Sequence, residues 1–472
     1  MENVLKKAVT LLLHNHHKEQ FSIFMVSGCF VSLIFVSGCS SSEYKKFAGD
    51  ESMQVVSVLQ KNGCLDCHSA SASLPIHGTF PLIGSKVKKD RIDAVKYVDF
   101  SVLMDALKNG TTATEADVAK LESSALSGSM PPAAYYRMPW HWGKNLNGDE
   151  KKLLTGWAKN VRKAHYTSPA VAEEFAAEQV QPLPPPIAVD PEKVNLGFLL
   201  YHDTRLSGDN TISCATCHGL NTGGVDRLRF SKGIRGQSGD ANAPTVYNAA
   251  LNFAQFWDGR AADLQEQAAG PPLNPVEMGS ASFDDICAAL SLDKAFTETF
   301  TKTYPDGLSE TNITDAIAVF EKTLLTPSRF DTYLQGSKNA LTAEELEGYE
   351  VFKQNRCATC HVGMNIGGQS YEYFGIKANY FDFRGTELTD EDNGRFAVTG
   401  SESDRHKFKT PSLRNVLITY PYMHDGAVQT AGEAVKIMGE FQLGKKLTDK
   451  ETEQIVAFLK TLTGEYQGKM LE

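Results

Sequence analysis

A five-residue pattern occurs three times in this 472-residue chain and dictates its architecture more than any other stretch. Cys64-Leu-Asp-Cys67-His68, Cys214-Ala-Thr-Cys217-His218 and Cys357-Ala-Thr-Cys360-His361 all read C-x-x-C-H, the attachment pattern of c-type haem. Two thiols three residues apart can each add to one vinyl group of the porphyrin, and the next side chain brings an imidazole to the iron. A lone C-x-x-C would equally suit a zinc half-site or a redox dithiol. Zinc needs a second ligand pair, and a dithiol gives no reason for a histidine directly after the second cysteine in every copy. Three covalently bound haem c groups are therefore expected, on Cys64 and Cys67, on Cys214 and Cys217, and on Cys357 and Cys360, with His68, His218 and His361 on the irons.

A chain of this length suggests about three domains at ~150 residues each. Each motif follows a short apolar-periodic segment, 53–59, 196–200 and 346–352, and the third carries the capping box Thr342-Ala-Glu-Glu345. Residues 149–161 and 448–462 read as amphipathic helices, with Leu153, Leu154, Trp157 and Val161 on one face of the first and Ile455, Phe458, Leu459 and Leu462 on one face of the second. Thr448-Asp-Lys-Glu451 caps the latter. Helix, haem motif, loop and helix is the order of a small cytochrome c domain, and no long alternating-strand pattern appears. The expected fold is mainly α, three tandem cytochrome c-like haem domains behind an N-terminal membrane anchor. The expected boundaries are 1–40 for the signal or anchor, 41–168 for the first haem domain and 169–190 for a semi-rigid linker containing Gln181-Pro-Leu-Pro-Pro-Pro186. The second haem domain would span 191–338 and the third 339–472.

Residues Phe21 to Cys39 form a 19-residue uncharged stretch preceded by Lys6, Lys7 and Lys18. At ~1.5 Å per residue it would be about 28 Å long as a helix, enough to cross a bilayer, and a positive flank before an apolar run is also the form of a secretory signal. The run ends Val36-Ser-Gly-Cys39-Ser, which resembles a bacterial lipoprotein cleavage box with Cys39 as the acylated residue. Lipidation at Cys39 is favoured over an uncleaved helix. Either reading places the bulk of the chain in the periplasm, tethered to a membrane. Lys plus Arg is 47 against 57 Asp plus Glu, a formal net charge of −10. With no basic surplus or basic run, nucleic acid is not an expected partner.

From Asn195 onward the sequence resembles the bacterial dihaem cytochrome c peroxidase family, which includes MauG-like enzymes. The segments that carry the resemblance are Leu196-Gly-Phe-Leu-Leu-Tyr-His-Asp-Thr-Arg-Leu-Ser207, Asn242-Ala-Pro-Thr-Val-Tyr-Asn248 and Phe256-Trp-Asp-Gly-Arg-Ala261. They continue with Leu264-Gln-Glu-Gln267, Asn274-Pro-Val-Glu-Met278, Leu413-Arg-Asn415, Tyr420-Pro-Tyr-Met-His-Asp-Gly426 and Met438-Gly-Glu-Phe-Gln442. The extra N-terminal haem domain behind an anchor looks like the trihaem quinol peroxidase subgroup.

The resemblance implies a job for each haem, decided by the sixth ligand. Met438 matches the family's axial methionine, so His361 and Met438 would hold an electron-transfer haem. MauG-like members carry a tyrosine at that place, which argues against that branch. On the first haem Met130, in a Met-Pro-Pro loop, is the preferred sixth ligand, with Met138 as rival and His77 and His141 as further candidates. Family members that need reductive activation hold a distal histidine at the position of Ile234, and residues 225–241 contain no histidine. His218 is therefore expected to be the only protein ligand on the middle iron. Glu277 matches the family's catalytic glutamate, Gln267 the glutamine that positions peroxide, and Trp257 the tryptophan between the two haems of the core. Asn242 with the carbonyls of Thr419 and Pro421 resembles an interdomain calcium site, whose all-oxygen ligands suit Ca²⁺. The expected function is reduction of hydrogen peroxide to water, with electrons from quinol or a small cytochrome or cupredoxin entering at the first haem. A homodimer is compatible with this reading. A multihaem electron carrier without catalysis, or a MauG-like enzyme oxidising a partner protein, are the alternatives.

Overall fold

The helices form where apolar spacing and capping coincide. The computed structural model describes residues 43–472 apart from 82, 133–134, 136–140 and 142–143. The candidate lipid anchor Cys39 and the rival ligand Met138 lie outside the described residues. No helix among the described residues is long and apolar enough to cross a membrane.

In the first unit, α1 (Glu51–Lys61) is capped by Asp50, whose carboxylate accepts from the Met53 N–H. It is followed by α2 (Gly84–Tyr97), α3 (Phe100–Asn109), α4 (Glu115–Ser127) and α5 (Gly148–His165). Val55, Leu59, Leu103, Leu154 and Trp157 close a core over which Cys64 and Leu65 pack. Each such side chain, fully buried, contributes roughly 1.5–3 kcal/mol. Met104 belongs to this core at 2 % exposure.

In the second unit, α6 (Pro191–Tyr201) starts with a proline after its Asp190 cap. Then come α7 (Leu264–Leu273), α8 (Phe283–Ser291), α9 (Lys294–Thr303) and α10 (Glu310–Glu321). Helices α6 and α10 pack so closely at Gly197 that a Cβ there would stand 2.0 Å from the Ala316 carbonyl oxygen. In the third unit, α11 (Ala343–Gln354) and α13 (Asp449–Lys460) carry the two capping boxes read from sequence, with α12 (Ala431–Ile437) between them. Phe352, Tyr349, Ile455, Phe458 and Leu459 form their shared core. Among the described residues strands are confined to short pairs; β1 (Tyr371–Tyr373) and β2 (Lys407–Lys409) run antiparallel with Glu372 opposite Phe408.

The segment expected to act as a linker is not an open spacer. Val180 lies fully buried in the core of the third unit and bridges to Gly363. The Leu183 N–H donates to Asp331 at 2.7 Å, and Arg414 reaches the Gln181 carbonyl at 3.2 Å. Arg414 itself is fully buried and grips Asp331 with two nitrogens at 2.9 and 2.8 Å. Val180 and Leu183, at the start of the proline run, are the buried hydrophobes, invisible as a pattern in so short a stretch.

The first unit also rests directly on the third. Ala116 and Ala119 of α4 pack on Val362, the residue after His361. Lys120 and Glu372 form an ion pair at 2.7 Å with both side chains under 10 % exposed. Glu115 lies against Gly363, where a Cβ would come 2.5 Å from its Oε2, and Arg162 pairs with buried Glu122 at 2.7 Å.

Candidate active site

Each C-x-x-C stretch forms a single helical turn that turns its histidine out of the helix. At the first and third motifs the imidazole is oriented by a backbone carbonyl. His68 Nδ1 lies 3.2 Å from the Val98 oxygen and His361 Nδ1 3.2 Å from the Ile366 oxygen. A carbonyl on Nδ1 fixes the tautomer that offers Nε2 to a metal. Burial pushes all three imidazoles down, His361 to about 4, which keeps each neutral and able to ligate. His218 Nδ1 is buried near the backbone of Gly224 and Pro244, without a hydrogen bond of ordinary geometry.

The third motif opens into a cavity of about 280 Å³ whose wall includes Cys357, Cys360, His361, Trp257 and Met438. Met438 stands where α12 passes into a π-helical turn, Met438–Leu443, a device common at functional sites. An apolar cavity with both cysteines, a neutral imidazole and a thioether on its wall fits a haem with His/Met ligation. Lys409 shares this wall, buried, with burial lowering its ammonium to about 8. On a bound haem it would be the cation to meet a propionate, and its lone place in Phe408-Lys-Thr-Pro411 gives no periodic signal.

Around the first motif, Met130 is half-buried. His141 is buried with neither ring nitrogen partnered, and its ring lies 6.4 Å from that of His77 and 4.8 Å from that of Tyr135. The fold thus brings both histidine candidates together beside the first motif. Among the described residues no group of three His, Cys, Asp or Glu stands together as a metal cluster would.

Glu277 lines a separate cavity of about 350 Å³ with Phe256, Arg260, Glu266 and Asn274. The Asn274 amide donates to its Oε1 at 2.9 Å. Burial raises its carboxyl above the ordinary glutamate range; Arg260 and Asn274 oppose the rise and Glu391 reinforces it. Glu277 also raises the thiols of Cys214 and Cys217 electrostatically, so it lies within reach of the middle motif. The Ile234 N–H donates to the Glu277 carbonyl at 2.8 Å, and Ile234 itself is 3 % exposed. Gln267 is half-buried on α7 and is not among the residues lining this cavity. Phe256 faces the Glu277 cavity while Trp257 faces the His361 cavity, so consecutive residues stand between the two. Phe256 holds φ +67° under the Arg260 guanidinium, 3.6 Å from the ring centroid, a strained conformation for a bulky residue. Arg260 and Glu391 were not singled out from sequence; only their position around Glu277 gives them a role.

Trp257 Nε1 donates to the Asn242 carbonyl at 2.8 Å. The Asn242 amide nitrogen donates to the Leu228 and Arg229 carbonyls, which leaves its Oδ1 to accept. Thr419 and Pro421 line the same cavity as Asn242. Nearby, His424 meets Asp392 at 2.7 Å, and Arg384 bridges Asp392 and Asp425.

Comparison with known proteins decides the family. Cytochrome c peroxidase Ccp of Escherichia coli (strain K12) is 46 % identical over 426 residues, covering 90 % of each chain. The chain belongs to the bacterial di-haem cytochrome c peroxidase family. The model described as di-haem cytochrome c peroxidase matches residues 191–339, that of a haem-binding domain residues 37–160, and that of cytochrome c residues 346–463. Each range holds one C-x-x-C-H motif, so several haem c groups are bound. Cytochrome c551 peroxidase of Nitrosomonas europaea is 47 % identical over 290 residues, covering 60 % of this chain and 85 % of its own. Among solved structures, a MauG-like protein associated with microbial copper homeostasis matches with TM-score 0.55 and 29 % identity, over 61 % of this chain and 94 % of that one. Like its peroxidase relatives, this protein is a haem peroxidase acting on hydrogen peroxide.

Proposed function

We propose that this peroxidase carries three haem c groups with divided roles. Cys64, Cys67 and His68, with Met130, would hold the haem at which electrons enter. Cys357, Cys360, His361 and Met438 would hold the one that receives them, and Cys214, Cys217 and His218 would hold the one that supplies the chemistry of peroxide reduction. The haem on His218 would supply the electrons and the Lewis-acidic iron needed to split the O–O bond.

The protein's own part is to hold peroxide and move protons. Reduction of one peroxide to two waters consumes two electrons and two protons, and one proton must move from one peroxide oxygen to the other as the bond breaks. Glu277 is suited to carry that proton. It is half-buried, held by Asn274, and raised in proton affinity by burial, the direction that suits a group which must both take and give a proton. Gln267, on the helix that precedes Glu277 though off the wall of its cavity, would orient peroxide, and Trp257 would couple the two core haems. Asn242 Oδ1 with the Thr419 and Pro421 carbonyls would hold a Ca²⁺ ion, consistent with the wall they share. The donor is a quinol or a small redox protein, and the enzyme works in the periplasm, tethered through Cys39.

The observation that carries this reading is Ile234. Where an inactive resting state would need an imidazole for the middle iron, a buried isoleucine is tied to the Glu277 backbone, and residues 225–241 hold no histidine. The fully oxidised protein should therefore show a high-spin ferric signal without prior reduction. Glu277→Gln should lower peroxide turnover by about 10²–10⁴-fold with the haem spectra unchanged. An oxidised protein with only low-spin haems, or undiminished turnover in the variant, would overturn the assignment.

A further inference from the structure

We infer that Tyr97 is the contact through which the first haem unit passes electrons into the third. The inference rests on the proposed entry of electrons at the first haem and adds the route they take.

One end of one helix touches both motifs. Helix α2 ends at Tyr97, and the next residue, Val98, supplies the carbonyl that binds His68 Nδ1 at 3.2 Å. The Tyr97 side chain packs on the first unit's core and also lines the cavity that holds Cys357, Cys360 and His361. Its hydroxyl is buried among Thr359, Arg356 and Cys360 with no hydrogen bond of ordinary geometry. A path of bonds and one short hydrogen bond therefore runs from the ligand of the first haem, through the Val98–Tyr97 backbone, to an aromatic ring beside the attachment cysteine of the third. Electron transfer falls off steeply across gaps and less so along bonds and packed rings, so an aromatic side chain here shortens the gap that matters.

The surroundings hold the ring in place. Lys120 stands 5.9 Å from the Tyr97 ring centroid and is itself fixed by the buried pair with Glu372 of β1. Lys96, the preceding residue, lies 5.6 Å from the Tyr373 ring centroid at the far end of the same strand. Plain interface packing would explain a buried aromatic, but not one that joins the first unit's core to the wall of the third haem cavity from the residue next to the first haem's orienting carbonyl. The ring, not the hydroxyl, is the conducting element.

The test follows electron movement inside the holoenzyme. The first haem is reduced by a fast photochemical donor, and re-oxidation of that haem with reduction of the third is followed by absorbance. Tyr97→Leu should slow this internal step severalfold while the reduction potentials of all three haems stay put. Tyr97→Phe should restore the rate to near that of the unchanged protein. An unaltered internal rate in Tyr97→Leu would overturn the inference, as would equal slowing in Tyr97→Phe. If the unchanged protein shows no transfer from first to third haem, the entry assignment fails instead, and the two failures are told apart in the same experiment.

Discussion

Glu115 offers a sharp test of how the first unit is seated. Its carboxyl lies at 7 % exposure, with Oε1 unpartnered and Oε2 against Gly363. Burial pushes it up from 4.5 to about 8, and the Arg162 guanidinium offsets only part of that cost. The folded protein therefore holds a proton on Glu115 at pH values where the unfolded chain has released it. Stability from this group falls as pH rises from the unfolded value through about 8. At ~1.4 kcal/mol per tenfold change in proton affinity, the penalty approaches about 5 kcal/mol above pH 8. Glu115→Gln, which mimics the protonated form, should leave stability nearly unchanged at pH 5 and raise it by several kcal/mol at pH 8.5. Urea unfolding of both proteins at the two pH values measures this directly. Glu321, also pushed up to about 8 by burial, contributes the same pH slope to both proteins and cancels in the difference. Equal stability of variant and parent at pH 8.5 would refute the reasoning, because it would mean that the buried carboxylate costs nothing.

Three other perturbations follow from the same structure. Glu391→Gln should move the acid limb of the peroxide-turnover profile to lower pH and Arg260→Leu to higher pH, since the first removes a group that raises Glu277 and the second a group that lowers it; shifts in the same direction in a pH–rate series would contradict this. Lys120→Met should cost about 3–5 kcal/mol by leaving Glu372 buried and unpaired, and a double change of both residues to methionine should recover most of that in thermal unfolding. Met130→Ala should abolish the methionine-to-iron absorption band of the first haem and His141→Ala should preserve it; the opposite outcome in the oxidised spectra would transfer the ligand role to His141.

The parts of the fold that were legible in sequence are those fixed by neighbours along the chain. The two capping boxes at Thr342 and Thr448 form as spaced, and the C-x-x-C-H motifs need no tertiary information to declare their chemistry. What was not legible depends on pairs far apart. Helix α4, Glu-Ala-Asp-Val-Ala-Lys-Leu-Glu, has the polar pattern of a solvent-facing helix, yet Glu115, Lys120 and Glu122 are all buried, the first two against the third unit and Glu122 against Arg162 of α5. Their partners lie in Glu372, Gly363 and Arg162, and no local rule links them. Trp257 and Glu277 line different cavities and Gln267 is on the wall of neither, a separation that no local pattern shows. Ile234 was readable as an absent histidine, whereas its bond to the Glu277 carbonyl was not.

The path of residues 180–183 has a consequence for traffic through the enzyme. Because that stretch crosses the third unit's core before the second unit begins, the N-terminal module is moored at both its helical face and its exit. It cannot work as a swinging arm that shuttles charge by diffusion. Solvent viscosity should then leave internal charge movement untouched, and any control over the flow has to lie in driving force or in small side-chain rearrangements along a fixed track.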